Sequence, residues 1–531
     1  MDIETLNKAI ALTQNGYIKE AENLYLSLLE QDSEDAILLS ALGLFYVNVR
    51  DFDKAIIHLK KACELNKTIG TISALGFCEF ERGKYKEASQ ILEEALTFGE
   101  SANVYDKLIL SCFHIKDYKK AIEYSIKMFA KYPDDINSVT NMIKSLTQSG
   151  KLMDAEKLCV EYLKKDNNIP SLWFHLGFLK ELIYSDDKQA CQCYKIALEL
   201  GHNEAHYNIA VSYQKQREFE KAEEHYKKML EYFPNDIDTI TSLGMCYLTQ
   251  KIFKKGYDLF FQREKNELDK KINNPWKLGS NFSDEIVVLC DQGFGDHIQF
   301  IRYIPFLKEK VKNIFVATHK SLKPLFEKNY PEVRFITYEE INPNIQSIKI
   351  TDLAYALNID FENIPFSSGY LTSETKEFES NKLKVGICWE AGSAGIRTMI
   401  NRTINVKLFE PFFDLKNVQF YSFQVTDTFK GNEKYPQMIN LAKDFKDFED
   451  TAKAMKSMDL IISVDTAVAH LAGALGIRTF LMLPYVSDWR WFGDTKTTPW
   501  YNSIEIFKQT DPISWEKPIE DIICKLKEYS S

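Results

Sequence analysis

Two short stretches concentrate residues whose types and spacing could do chemistry. The first, "VDTAVAHLAGALG" (464–476), follows the apolar run "DLIIS" and precedes "RTFLMLP". A short, β-branched-rich run reads as a buried parallel strand, and the small apolar segment after it is long enough only for a helix. Asp465 and Thr466 then open a helix at the carboxyl end of a strand, where unpaired N–H groups and the positive end of the helix dipole favour a phosphate. Thr466 and His470, four apart, share one face of that helix. The second stretch, "EIVVLCDQGFGDHIQFIRYIPFLKEK", reads as strand, glycine loop and helix. Gly293 and Gly295 are expected to let the backbone turn tightly and approach a ligand, and Asp296 sits at the helix start, facing a cleft. Capping and packing are the ordinary roles of such residues, so neither stretch assigns chemistry alone.

Further polar groups stand at other strand ends. "LKVGICWEAGSAG" puts Gly392 and Ser393 after a strand, and "NRTI" adds Arg402, whose guanidinium suits a diphosphate by geometry and permanent charge. "PYVSDWRWFG" sets Asp488, Trp489, Arg490 and Trp491 on a loop after another strand, where a tryptophan could stack on a base or sugar.

The elements that must position these residues alternate regularly. After "FFQREKNELDKKINNPWKLGSNFS" short apolar runs alternate with helical segments: "EIVVLC", "NIFVAT", "LKVGICW", "VQFYSF", "DLIIS", "TFLMLP" and "IEIFKQ". That alternation predicts parallel sheets covered by helices. The polar link "YLTSETKEFESNK" divides the region, predicting two Rossmann-like halves, 283–378 and 379–531, with ligands at the carboxyl ends of their strands.

Residues 1–266 read differently. A small residue recurs at Ala21, Ala55, Ala88, Ala121, Ala155, Ala190, Ala222 and Gly256, every 32 to 35 positions. Gly43, Gly76, Gly177 and Gly244 stand twelve or thirteen residues before the second small residue of their unit. The text resembles the tetratricopeptide repeat: about eight units of two amphipathic helices, none able to bury its apolar face alone, which must stack into a solenoid with a concave surface for a peptide or partner. Residues 267–282 are the linker. O-GlcNAc transferases, a related class, carry an Asn ladder two residues before the first small position. Here Asn7, Ala41, Ala74, Lys107, Asn141, His175, Asn208 and Ser242 occupy it, a partial ladder suited to a particular partner.

Bulk properties narrow the class. At 531 residues, 45% hydrophobic and 27% charged, the chain has ordinary globular composition, and its net charge of −10 disfavours nucleic acid or an anionic membrane as the main partner. No apolar run is long enough to span a bilayer, and "MDIETLNKAIALTQNGY" lacks a signal-peptide core, so a cytoplasmic protein is expected. The ten cysteines stand without zinc spacing and read as buried thiols.

Taken together, "DQGFGDHIQFIRYIPFL", "VGICWEAGS", "NRTI", "DFEDTAKAMKSMDLIISVDTAVAHLAGALG", "LPYVSDWRWF" and "PWY" cover nearly all of 284–510. In order and spacing they resemble bacterial proteins that join tetratricopeptide repeats to a domain like the family 9, heptosyltransferase-like glycosyltransferases of GT-B fold. The resemblance implies an α-solenoid followed by an α/β GT-B domain, with an acceptor-side half and a nucleotide-sugar-side half. It implies an inverting glycosyltransferase that moves a sugar from a nucleotide-sugar to a protein acceptor held by the repeats, with flagellin one such acceptor because some relatives of this architecture modify flagellins. Asp296 stands where the related heptosyltransferases place a catalytic Asp, and Asp465, Thr466 and His470 match the residues that cradle their donor pyrophosphate. Gly392, Ser393 and Arg402 join the donor side, and His297 and Trp489 are further candidate donor or sugar contacts. No metal or other cofactor is expected, since Arg402 and helix N–H groups would neutralise the diphosphate. His297 stands where the family often has Thr, and "GSAGIRTMINRTI" departs from the common "GSPxHxNDxxRSI". Two other readings stay open: transfer to a lipid-linked or surface glycan, and a non-catalytic adaptor with a degenerate transferase domain.

Overall fold

The structure, a computed structural model, describes residues 2–263, 268–359, 364–392, 402–425, 435–492 and 495–530. From Ile3 to Phe260 it is helix and turn: eight successive helix pairs, the first Ile3–Gln14 with Ile18–Gln31 and the last Ile237–Thr249 with Phe253–Phe260. Many of the helix starts are written as aspartates. The side chains of Asp2, Asp35, Asp135 and Asp236 accept first-turn N–H groups at the leading helices of four pairs, each such cap worth about 1 kcal/mol. The recurring alanines, from Ala21 to Ala222, are fully buried. Glycines mark the tightest crossings: a Cβ added at Gly43 would lie 2.6 Å from Leu59 Cγ, and one at Gly76 2.7 Å from Leu92 Cγ. Close helix approach therefore fixes the small residues, as the repeat spacing predicts.

The chain divides into two compact units, Met1–Ile209 and Ala210–Ser531. Helices Phe219–Tyr232, Ile237–Thr249 and Phe253–Phe260 thus belong with the α/β part, although their text is that of the repeats.

Two sheets follow. In the first, β1 (Glu285–Leu289), β2 (Asn313–Ala317), β3 (Arg334–Ile336) and β4 (Gln346–Lys349) are parallel in the order β3-β2-β1-β4. The second comprises β5 (Leu383–Cys388), β6 (Val418–Ser422), β7 (Met438–Asn440), β8 (Leu460–Val464), β9 (Thr479–Leu483), β10 (Thr497–Thr498) and β11 (Tyr501–Lys508), in the order β10-β11-β9-β8-β5-β6-β7. Only β10 runs antiparallel to its neighbour. Every residue of β8 and β9 is buried, as expected of central strands covered on both faces. The seven apolar runs that predict strands all form them. The short β3, β4, β7 and β10 give no comparable apolar signal.

The last repeat helices are built into the α/β core. Tyr257 and Phe260 share a buried cluster with Trp276, Phe300, Tyr303 and Trp489, and Phe253 meets Phe492 edge-on at 6.1 Å. Arg263, buried just past the last helix, bonds Asp352 Oδ1 at 2.7 Å, Thr351 Oγ1 at 2.7 Å and Asp291 Oδ2 at 3.2 Å. A buried ion cluster of this kind specifies one docking geometry, because any other leaves its charges unpaired. Among the described residues no helix is long and apolar enough to cross a membrane. Nine cysteines are buried, and Cys524 is exposed.

Candidate functional site

The loops at the carboxyl ends of β1, β5, β8 and β9 carry most of the candidate residues, and two short helices bring the two halves together. Helix Phe294–Phe300 follows the glycine loop after β1, and helix Ala467–Ala474 follows β8. They touch at Gly295, where an added Cβ would lie 2.6 Å from His470 Cδ2 and 3.3 Å from its Nε2. Neither Gly293 nor Gly295 has a positive φ. The glycine at 295 is required by the approach of a histidine ring from the other half, and not by the turn.

Asp296 lies in the first turn of its helix, whose N-cap is Gly293, so it is not the cap. Its carboxylate meets Arg490 Nη2 at 2.5 Å, and Arg490 Nη1 also holds Asp488 Oδ1 at 2.8 Å. Burial pushes the Asp296 carboxyl above its usual range against the pull of Arg490, with Asp488, Asp291 and Asp465 adding to the rise. Asp488 is held low: burial would raise it, but Arg490's charge and backbone N–H outweigh that.

Across from Asp296, Thr466 is the N-cap of helix Ala467–Ala474, yet no side chain caps that helix. The Thr466 hydroxyl is instead 3.1 Å from Ser463 Oγ. Asp465 is buried, pushed up by that burial despite Arg402, whose Nη1 donates to Asp465 Oδ2 at 3.2 Å. His470 presents Nε2 to Asp465 Oδ1 at 3.9 Å and Nδ1 to the Tyr501 hydroxyl at 3.0 Å, with its ring stacked on Trp491 at 5.0 Å. Burial, aided by Arg490 and Arg302, lowers the His470 pKa to about 3. Asp296, Arg490, Asp488, Asp465, Arg402 and His470 therefore form one polar cluster contributed by both halves.

Gly392 is exposed in the loop after β5, with open space where a Cβ would stand. Ser393 lies outside the described residues. Gln424 braces the start of the same loop, its Oε1 accepting from Trp389 N at 3.1 Å and Glu390 N at 2.9 Å.

Two expected contacts are placed elsewhere. His297 is 1% exposed, with Nε2 2.9 Å from the Gln292 carbonyl and Nδ1 3.4 Å from Thr318 Oγ1. Burial lowers its pKa to about 4, so it is a neutral brace for the glycine loop. Trp489 is 4% exposed, edge-on to Tyr257 at 6.3 Å and to Phe260 at 6.2 Å. Its ring packs against the last repeat. The Asn ladder is altered too, since Asn141 is buried and donates to Asp106 Oδ1 at 2.9 Å.

Sequence reasoning placed Arg490 on its loop without a role and gave none to Gln424, Tyr501 or Arg302. Tyr501 sits in "PWY", a stretch that carries the resemblance but contains no charged group to draw attention. Arg302, fully buried, donates Nη1 to the Trp500 carbonyl at 3.0 Å and Nη2 to the Tyr370 hydroxyl at 3.2 Å, tying the first half to the second.

Comparison with known proteins bears on the repeats. Tetratricopeptide-repeat family profiles match residues 37–69 and 204–236, so the chain carries such repeats. It is 26% identical over 285 residues to Protein FlbA of Caulobacter vibrioides, an alignment taking in 46% of this chain and 47% of that protein. It is 30% identical over 133 residues to Heat shock protein STI1 of Saccharomyces cerevisiae, covering 23% of this chain and 22% of that one. The chain thus spans less than half the length of these relatives. Solved structures similar to it include a tetratricopeptide repeat protein from Parabacteroides merdae, 14% identical, with a TM-score of 0.41 over 49% of this chain and 98% of that one. Yeast Tom70 gives 20% identity and a TM-score of 0.37 over 46% and 54% of the two chains.

Proposed function

We propose that the chain is an inverting glycosyltransferase of GT-B fold that moves a sugar from a nucleotide-sugar to a protein acceptor docked by its repeats. The observation that carries this reading is the convergence of Asp296 from one half with Arg402, Asp465 and His470 from the other, at the carboxyl ends of two parallel sheets. Open α/β folds bind ligands at that edge. The uncapped start of helix Ala467–Ala474 offers N–H groups to a diphosphate, and Arg402 adds a permanent positive charge beside it.

In this reading the acceptor oxygen attacks the anomeric carbon on the face opposite the diphosphate. Its proton passes to the Asp296 carboxylate as the bond from the anomeric carbon to the phosphate oxygen breaks. The leaving diphosphate carries the electron pair to the helix start and Arg402. Burial makes Asp296 a stronger base than an exposed carboxylate, and general-base help of this kind is worth roughly 100- to 10,000-fold. Fixed donors at the leaving group contribute on the order of 3 kcal/mol each.

Capture of a protein is supported by the repeats themselves, since such arrays present extended binding surfaces. Flagellin is one acceptor of the kind proposed.

A thermal-shift screen of the full chain against nucleoside diphosphates and nucleotide-sugars tests the reading. A ligand at 100 times its Kd adds about 2.7 kcal/mol to stability. A nucleotide-sugar that stabilises the protein, and is slowly hydrolysed by it, is the expected result. No shift with any donor overturns the reading.

A further inference from the structure

The Tyr501 hydroxyl and the His470 imidazole lie 3.0 Å apart, and the direction of the proton between them decides what the other ring nitrogen can do. We infer that Tyr501 is a positioning residue that fixes His470 as the neutral Nε2–H tautomer, making it a permanent hydrogen-bond donor at the proposed diphosphate site.

Three features set the direction. The first is the network behind Tyr501. The Tyr370 hydroxyl gives its proton to the Ile298 carbonyl at 2.7 Å and accepts from Arg302 Nη2 at 3.2 Å. It stands 3.5 Å from the Tyr501 oxygen, too far to be a good acceptor for Tyr501. The Tyr501 proton therefore goes to His470 Nδ1. The second is the other side of the ring. Nε2 faces Asp465 Oδ1 at 3.9 Å, so a lone pair there would oppose a carboxylate, whereas an N–H is attracted to it. The third is confinement. Trp491 stacks on the ring and the Gly295 backbone abuts its Cδ2 edge, so a ring flip that exchanged the nitrogens would need both neighbours to move.

Burial is the main influence that keeps the ring neutral, and Arg490, Arg302 and Arg402 also oppose a second proton, against Asp488 and Asp465, which favour one. A phosphate oxygen arriving at the helix start meets a donor whose state does not change between pH 5 and 8, the range in which an ordinary histidine titrates. Outer partners that set a histidine's tautomer in this way are a recurrent device. The phosphate role rests on the function proposed above. The tautomer does not.

The test uses the full chain labelled with 13C,15N-histidine, with the His470 resonances identified by their loss in His470→Gln. In the wild type the ring 13C and 15N shifts should report Nε2–H and stay constant from about pH 5.5 to 8. Tyr501→Phe keeps the ring and removes the hydroxyl, and should bring in the Nδ1–H form. It should also weaken binding of whichever of ADP, GDP, UDP, CDP and dTDP the wild type binds, by about fivefold, the scale of one lost hydrogen bond. An Nδ1–H wild type, a His470 that titrates near 6.5, or an unchanged tautomer in Tyr501→Phe overturns the inference. If the shifts behave as expected and none of the five diphosphates binds the wild type, Tyr501's hold on His470 stands. The phosphate role then falls with the proposed function.

Discussion

The two glycines of "GFG" should respond unequally to alanine. At Gly295 the new Cβ would stand 2.6 Å from His470 Cδ2, about 1 Å inside ordinary carbon–carbon contact. The ring cannot easily retreat, held as it is by Tyr501 at 3.0 Å and by Trp491. Overpacking of this kind costs about 1–3 kcal/mol, and alanine's better helix propensity returns up to about 1 kcal/mol. The net loss is about 1–2 kcal/mol. For a unit the size of Ala210–Ser531, each kcal/mol shifts the melting temperature by roughly 1.5 °C, so Gly295→Ala should melt about 2–3 °C lower. At Gly293 the nearest atom to a new Cβ is Asp296 Oδ2 at 3.7 Å and φ is −70°, so alanine fits. Its poorer N-capping costs about 0.5 kcal/mol, less than one degree. Intrinsic tryptophan fluorescence on heating is the assay, because of the seven tryptophans only Trp173 precedes residue 210. A Gly295→Ala protein as stable as wild type, or a Gly293→Ala protein that loses as much, would refute the claim that the histidine ring dictates the glycine.

Asp296→Asn should retain nucleotide-sugar binding while donor hydrolysis and transfer fall by about 100-fold or more, read by product chromatography; a wild-type rate would remove Asp296 from the chemistry. Arg263→Met strands Asp291 and Asp352 in the core and should cost about 3–5 kcal/mol in urea unfolding, whereas a loss under 1 kcal/mol would mean the cluster does not hold the last repeat. His470, with a folded pKa of about 3 against about 6.5 unfolded, binds fewer protons when folded, so its contribution to stability is present above pH 6.5 and is lost as pH falls. His470→Gln should flatten the acid loss of stability by up to about 1.4 kcal/mol per pH unit relative to wild type, measured from urea midpoints between pH 7 and 5; parallel curves would show an exposed or already charged ring.

The parts legible in the sequence share one property: each leaves a periodic or local trace. The alanines of the repeats mark helix crossings because a larger side chain cannot fit there, and the spacing survives in the text. The apolar runs of β8 and β9 are legible because strands buried on both faces must be largely apolar. Thr466 opens its helix as expected, since a strand followed by a small apolar run allows little else. What escaped depends on distant partners. Trp489 looks free on its loop until Tyr257 and Phe260, more than two hundred residues earlier, close over it. Tyr501 lies just ahead of the apolar run "IEIFKQ" with no charge to mark it, and only the fold brings it to His470. Asp296 lies near a helix start, where an acidic residue is ordinary, and its ion pair with Arg490 joins residues 194 positions apart. The small β3, β4 and β7 were illegible because a strand of three or four residues borrows its stability from neighbours.

The last repeat, packed through Phe253, Tyr257 and Phe260 against the loop that bears Trp489 and Arg490, has a consequence for how such a protein can change. Met1–Ile209 is a compact unit of its own, so a lineage, or an engineer, can add, delete or exchange repeats there while the buried cluster around Trp489 stays intact. The same freedom ends at the final helices, which serve as an adaptor machined to one socket. Chimeras that graft a foreign array onto the α/β part should be joined just ahead of helix Ala205–Lys215, since a junction at the end of the repetitive text, near 266, would discard Tyr257 and Phe260 from the core they help to build.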